Sequence, residues 1–346
     1  MKKYISLSIC LFLLLLIVSG CSGSGNNSQQ SEQTEVKDKP ITLKLAGQFP
    51  LDNPASIAAE NVKKYVEEKS QGRLLIETYP ANQLGDANLV YEGIMDGSVD
   101  MGLLYNSSQY DPMIEINSLP YLSTDIEAVK KVYSPGSNYY SIYSEIFKKM
   151  NVKIMGIHVD GLIGVHGKKT PVDYKDFTKN KQAMLRIPAV DVYKLTATDM
   201  GYPTVTIPFA DLYTSMQTGV CDASIGQTVI GAYTGFRDVD KYFIPYRVFV
   251  ECLDYMINMD KWNSLPADLQ QILQEAVDQE VQKQFDNVVK NEEEYSKKLQ
   301  AEGIEIMSIS DQERNEMAEY IRKTTWPKLY DKFGEDVMKK ILEDVE

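Results

Sequence analysis

Two stretches of this chain share one skeleton: Tyr91-Glu-Gly-Ile-Met-Asp-Gly97-Ser-Val-Asp100 and Tyr213-Thr-Ser-Met-Gln-Thr-Gly219-Val-Cys-Asp222. In each, a helical pattern stops at a glycine, an aspartate follows three residues later, and an apolar strand begins. The glycine suits a helix C′ position with positive φ, and the aspartate stands at the strand's entry. Each copy also follows an extended run and a helix. A chain that repeats this unit is constrained to two related α/β lobes, crosses between them more than once, and leaves a cleft between them.

The flanking pattern agrees. Ile41, Leu43 and Leu45 alternate with Thr42 and Lys44, which reads as a strand. Pro54 opens a helix with Ile57, Ala58, Val62, Tyr65 and Val66 on one face, ended by Gly72. A strand over Leu74 to Tyr79, a helix capped by Asp86 and a strand over Val99 to Leu104 complete the first unit. Strands separated by helices of this length imply parallel β-α-β units. Further on, Leu265-Pro266-Ala267-Asp268 opens an amphipathic helix reaching about Leu299. At 1.5 Å per residue it exceeds one small domain and is long enough to brace both lobes. Its apolar spacing is not the strict heptad of a coiled coil. Ile304 to Met307 reads as a further strand, and the charged tail past Ser310 as surface helices.

The N-terminus reads as an export signal. Lys2 and Lys3 precede an apolar run of about 14 residues, Ile5 to Val18, which is short for a bilayer span. Val18-Ser19-Gly20-Cys21 is similar to the lipobox of bacterial lipoproteins, with Cys21 as the lipidated residue. Residues 22–40, rich in Ser, Gly, Asn, Gln and Glu, form a flexible tether. The expectation is an exported lipoprotein anchored to the cell membrane on its extracytoplasmic side. Loss of residues 1–21 removes two lysines and no acid, so 34 basic against 49 acidic residues gives −15 in place of −13.

That charge excludes nucleic acid as a partner, because an acidic surface repels phosphate backbones. Ample apolar and aromatic content, 43% and 10%, excludes disorder. Beyond Cys10 in the signal and Cys21, only Cys221 and Cys252 remain. A disulfide between them and two buried thiols both fit an exported chain, and their apolar, strand-like settings favour free thiols. No Gly-x-Ser-x-Gly elbow, His-Glu-x-x-His motif or phosphate loop is present. His158 and His166, the only histidines, read as surface or structural residues, and neither a metal, a cofactor nor a catalytic residue is expected.

Open parallel sheets meet ligands at the carboxyl ends of their strands. Counting from the two aspartates, those ends fall at Tyr105 and Asn106 in one unit and at Gly226, Gln227 and Thr228 in the other. Tyr105 and Gln227 are equivalent, each five residues past its aspartate, and both offer directional hydrogen bonds. Arg186 lies in the apolar run Ala183-Met-Leu-Arg-Ile-Pro188. A buried guanidinium needs an anion, either an external carboxylate matched to its planar fork or a carboxylate of the protein itself.

An ordered set of segments resembles the extracytoplasmic solute-binding proteins of tripartite ATP-independent periplasmic (TRAP) transporters, the DctP-like family. It comprises Ile41-Thr-Leu-Lys-Leu-Ala46, Tyr79-Pro-Ala-Asn-Gln-Leu-Gly-Asp86, Gly97-Ser-Val-Asp-Met101, Leu119-Pro-Tyr-Leu122, Leu185-Arg-Ile-Pro188, Phe209-Ala-Asp-Leu-Tyr213, Gln217-Thr-Gly-Val-Cys-Asp222 and Trp262-Asn-Ser-Leu-Pro266. The resemblance implies a two-lobed periplasmic-binding-protein-like α/β fold of type II, with mixed sheets, a ligand cleft between the lobes and a long hinge-spanning helix. The expected lobes are residues 41–162 with about 251–290, and 163–250 with about 291–346. It further implies that Arg186 pairs with a ligand carboxylate, Phe209 packs on the ligand, and Gln48 and Tyr105 add polar contacts. The implied partners are a small organic acid and the small and large membrane subunits of the transporter.

Two departures stand out. Many members read Gly-Gln-Glu-Asn-Pro after the Gly-x-x-Asp element, whereas this chain has Ala223-Ser-Ile-Gly226-Gln227, with the Gln227 amide one residue later. A second arginine usual near Leu162 to Gly164 is absent. The expectation is thus a single-arginine grip on an organic acid. The competing readings are the binding protein of an ATP-dependent importer and a surface hydrolase or lyase.

Overall fold

Leu43 and Leu45 turn inward and Thr42 and Lys44 outward, so Ile41–Gly47 forms strand β1 of the computed structural model, which describes residues 39–345. The expected signal peptide, Cys21 and the tether as far as residue 38 lie outside the described residues. The Asn53 side chain caps α1 (Pro54–Lys69), with Pro54 in the first turn where an N–H has no helical partner anyway. After β2 (Leu74–Tyr79), Asp86 caps α2 (Ala87–Asp96), which Gly97 closes at φ 84°. β3 (Met101–Tyr105) follows, and both β2 and β3 lie parallel to β1, one on each side.

Helices α3 (Ile126–Val132) and α4 (Asn138–Lys148) lead to β4 (Val152–Gly167). The second unit is β5 (Leu185–Ile187), α5 (Asp191–Asp199), β6 (Thr204–Thr206), α6 (Phe209–Thr218) and β7 (Ala223–Gln227). Its order, β6 and β7 parallel on either side of β5, repeats the first. Gly219 closes α6 at φ 82°, the counterpart of Gly97. The repeated aspartates also do equivalent work. Asp100 Oδ2 accepts the Lys44 N–H of β1 at 2.8 Å, and Asp222 Oδ2 accepts the Met184 N–H, just before β5, at 2.8 Å. Each aspartate ties the entry of its unit's last strand to the central strand.

α7 (Val229–Phe236) precedes β8 (Tyr242–Asn258). At 16 and 17 residues, β4 and β8 are far longer than the other strands and run antiparallel along most of their length. β3 pairs with β8 at Leu253 to Ile257, while β7 pairs with β4 at Gly164 to Gly167. The two long strands therefore carry one unit at each end, giving a single mixed sheet in the order β2-β1-β3-β8-β4-β7-β5-β6. Register shifts at Ile154/Gly156, Val159/Gly161 and Ile163/Val165 break the ladder between the ends, where bulges bend and twist a strand. This is the two-lobed periplasmic-binding-protein architecture.

α8 (Met259–Ser264) is followed by α9 (Ala267–Ala301), 35 residues or about 52 Å long. Leu269, Leu273, Ala276 and Val277 pack under the first unit, Phe285 and Val288 join the main core, and Leu299 meets Val229 and Ala232 of α7. One helix thus touches both units. β9 (Glu305–Ile306) adds parallel to β8. The tail past Ser310, expected as surface helices, is different. α10 (Asp311–Thr324), α11 (Tyr330–Phe333) and α12 (Glu335–Val345) bury Met317, Ile321, Phe333, Met338 and Ile341 in the main core, and Trp326, between α10 and α11, joins them. The charges lie on the outer faces of amphipathic helices, and the inner faces close the core, α12 against α3 and α4 and α10 against α5. Cys221 and Cys252 are both buried free thiols, in separate apolar clusters.

Candidate functional site

β-Sheet register lines up three polar residues on neighbouring strands. Arg186 of β5 pairs with Ser224 of β7, and Ser224 pairs with His166 of β4. Leu185 and Ile187 point the other way into the core, which leaves Arg186 facing the opposite side, 3% exposed. Its Nε donates to the Ile207 carbonyl at 2.8 Å and its Nη1 to the Ile225 carbonyl at 3.5 Å. These neutral acceptors orient the guanidinium without cancelling its charge, and no carboxylate forms an ion pair with it among the described residues. Burial pushes the guanidinium down from its usual range, against the pull of the nearby Tyr193 hydroxyl. Of the two carboxylate sources open to Arg186, an internal one is not used.

Gly226 and Gln227 lie beside this charge. Gly226 has φ 128°, a backbone conformation that favours glycine, and it lies against Arg186, whose Nη1 would be in ordinary contact at 3.5 Å with a Cβ added there. Gln227 Oε1 sits 2.7 Å from His166 Nε2 and accepts the Ser224 hydroxyl at 3.0 Å. Phe209 opens α6, 65% exposed, and its ring meets Phe236 edge-on, with centroids 6.4 Å apart. Phe236 in turn packs on His166 at 4.8 Å. The structure thus brings Gly226 against Arg186 and links Gln227 to Phe209 only indirectly, through His166 and Phe236.

In the first unit Tyr105 ends β3, and its ring meets Phe49 edge-on at 5.5 Å. Gln48 precedes Phe49, with a buried Oε1 that has no hydrogen-bond partner, and Asn106 follows Tyr105 half-buried. The Tyr105 hydroxyl faces two acids that sequence reasoning passed over, Asp160 and Glu251. Asp160 sits at the β4 register shift, and Glu251 is opposite Gly161 on β8. Burial raises the Asp160 carboxyl, and burial followed by Asp160's charge raises Glu251, opposed by its hydrogen bond to Tyr105. A signal for Glu251 was present: it interrupts the apolar run Phe249-Val-Glu-Cys-Leu253 just as Arg186 interrupts its own.

Tyr193 connects the two halves. Its ring stacks on Phe249 of β8 at 4.0 Å. Its hydroxyl is raised by burial and by Glu251, and lowered by Arg186. Arg186 and Glu251 therefore act on this hydroxyl with opposite signs.

The histidines, expected as surface or structural residues, are both wholly buried. Burial takes His158 down to about 4, and neither of its ring nitrogens has a partner. His166 is in contact with Gln227 and with Asp240. No cluster of three or more His, Cys, Asp or Glu among the described residues is placed to hold a metal ion. No helix among them is long and apolar enough to cross a membrane.

Comparison with known proteins points one way. The family model described as bacterial extracellular solute-binding protein, family 7 (DctP), matches residues 45–332. An uncharacterised protein of Haemophilus influenzae is 26% identical over 311 residues, spanning 87% of this chain and 92% of that one. The 2,3-diketo-L-gulonate-binding periplasmic protein of Escherichia coli is 22% identical, spanning 74% of this chain and 77% of that one. Among solved structures, a TRAP periplasmic solute-binding protein of Haemophilus influenzae with bound L-gulonate superposes with a TM-score of 0.73 at 24% identity. It covers 88% of this chain and 99% of the other.

Proposed function

The chain belongs to family 7 of the bacterial extracellular solute-binding proteins, the DctP family, and from that premise we propose that it captures a small organic acid between its lobes and delivers it to the membrane subunits of a TRAP transporter. The observation that carries this reading is Arg186. A buried guanidinium held by two carbonyls and unpaired with any acid is stable where an anion arrives to complete it. Gln227, Gly226 and Phe209 surround the anion, and Gln48, Tyr105 and Asn106 reach the rest of the ligand from the first lobe. The lobes divide as residues 41–162 with about 251–290 and 163–250 with about 291–346. The bulged β4–β8 pair and α9 form the hinge.

No chemical step is required. Binding energy favours the closed state over the open one, and the membrane subunits recognise the closed form. Cys21 carries a lipid that keeps the protein at the extracytoplasmic face of the cell membrane. Relatives named for 2,3-diketo-L-gulonate, C4-dicarboxylates and sialic acid, and a solved structure with bound L-gulonate, support an organic carboxylate as the ligand class.

Arg186→Ala is the direct test. Calorimetry with L-gulonate, 2,3-diketo-L-gulonate and succinate is expected to show binding of at least one acid to the wild type. The variant loses affinity by about a hundredfold or more, with an unchanged circular dichroism spectrum. Undiminished affinity in the variant sinks the assignment. Uptake by vesicles holding the membrane subunits, driven by an ion gradient without ATP, checks the transporter class.

A further inference from the structure

His166 is 0% exposed, and each of its ring nitrogens faces an acceptor. Nδ1 is 2.7 Å from Asp240 Oδ2, and Nε2 is 2.7 Å from Gln227 Oε1. With the Gln227 carbonyl turned toward the ring, a neutral imidazole, having one N–H, satisfies only one of these contacts, whereas the imidazolium satisfies both. Asp240, 2% exposed, has no other partner for its charge, and its Oδ1 is buried without a hydrogen bond. The Gln227 amide lies over Ser224, between Arg186 on one neighbouring strand and His166 on the other. With its carbonyl end taken by His166 and Ser224, its Nε2 end is left to donate elsewhere.

We infer that His166 is a positioning residue of the anion site: its charged ring holds the Gln227 carbonyl, turns the amide N–H toward the anion beside Arg186, and releases the amide to reverse when the proton is lost. This rests on the reading that Arg186 takes the ligand's carboxylate. In the neutral state Nδ1–H still donates to Asp240, so Nε2 becomes an acceptor. Gln227 must then present Nε2–H to it, and Ser224, able to donate or accept, follows either orientation. The amide oxygen then faces the carboxylate, replacing an attraction with a repulsion.

The groups facing His166 set the sign. Burial and the Arg186 charge push the imidazole down, while Asp240 and Gln227 push it up, and the net direction is up. Burial raises Asp240, opposed by His166, with Asp238 adding repulsion from the same turn. Phe236, which packs on the ring, and Phe243, opposite His166 on β8, carry no charge. The imidazolium therefore persists above the ordinary imidazole range. Anion affinity is highest while it is charged and falls as pH rises through its folded pKa. By linkage, bound anion raises that pKa in turn.

With only two histidines in the chain, selective ¹⁵N-histidine labelling gives two readable rings, one being the neutral His158. His166 is expected to show two protonated nitrogens at neutral pH, and Gln227→Leu to move its titration downward by removing an acceptor. A single protonated nitrogen in the wild type, or a titration unmoved by Gln227→Leu, overturns the inference without reference to any ligand. Calorimetry with L-gulonate and succinate between about pH 6 and 10 is expected to lose about tenfold or more in affinity across the His166 titration. In Gln227→Leu that step is expected to vanish, and its persistence at wild-type size overturns the inference. Unaltered binding by Arg186→Ala would instead overturn the carboxylate reading, leaving the labelled-ring result to decide on His166.

Discussion

Arg186, Glu251 and Asp254 show how differently a charge can be kept among apolar neighbours. Arg186 is held by carbonyls and left available. Glu251 keeps a path to solvent beside Tyr105 and Asp160. Asp254 is wholly enclosed, with the Tyr143 hydroxyl donating to Oδ2 at 2.7 Å and Oδ1 unpartnered. Burial raises the Asp254 carboxyl to about 7, with Tyr143 pulling the other way. Its folded pKa thus exceeds the unfolded one, and the native state binds more protons between the two. Stability falls as pH climbs from about 4 to about 7. Asp254→Asn is expected to stabilise the protein by about 1–3 kcal/mol near pH 8 and to change little near pH 5, read from denaturation midpoints at the two values. Arg186 was legible in sequence because one charge broke an apolar run. Glu251 carried the same signal, but its role depended on Asp160 and Tyr105, which only the strand pairing brings alongside.

The repeated unit is the element-scale lesson. Gly97 and Gly219 end their helices in the left-handed region, and Asp100 and Asp222 each accept a backbone N–H from the central strand of their own unit. Asp100→Ala and Asp222→Ala are expected to cost about 1–3 kcal/mol each, because both strand the same kind of N–H donor. Chemical denaturation of the two variants checks this, and a cost at only one site would mean that the repeat is not functional at the other. The strands and helices from Ile41 to Tyr105, α9 and β9 could be read from periodicity, caps and glycines. α3, α4 and the inner faces of α10 to α12 could not, since short amphipathic helices with many charges look like surface until a partner face is known.

For the whole molecule, the balance of 36 basic against 49 acidic residues opposes an anionic ligand at long range, while the proposed grip by Arg186 attracts it at short range. Salt screens the distant repulsion beyond about 10 Å at 0.1 M but hardly reaches a buried site. The association rate of L-gulonate is therefore expected to rise severalfold between low and physiological salt, as stopped-flow fluorescence would register. A fall with added salt would mean that the field at the cleft mouth is positive. The β4–β8 pair and α9 join the units without fusing their outer strands, so the proposed closure would bend a few bulged residues and leave each unit intact.

By itself the sequence determined the two α/β units, their matching glycine and aspartate signals, the long helix and the arginine that must meet an anion. These follow from local rules: period, cap, turn and the cost of burying a charge. Tertiary structure alone decided that β4 and β8 carry one unit at each end, that the tail closes the core, and that Asp160 and Glu251 meet beside Tyr105. It also decided that His166, read from sequence only as a surface or structural residue, meets Gln227. Such contacts join residues tens of positions apart, and hydrogen-bonded register across neighbouring strands, which no local pattern encodes, is what sets them side by side.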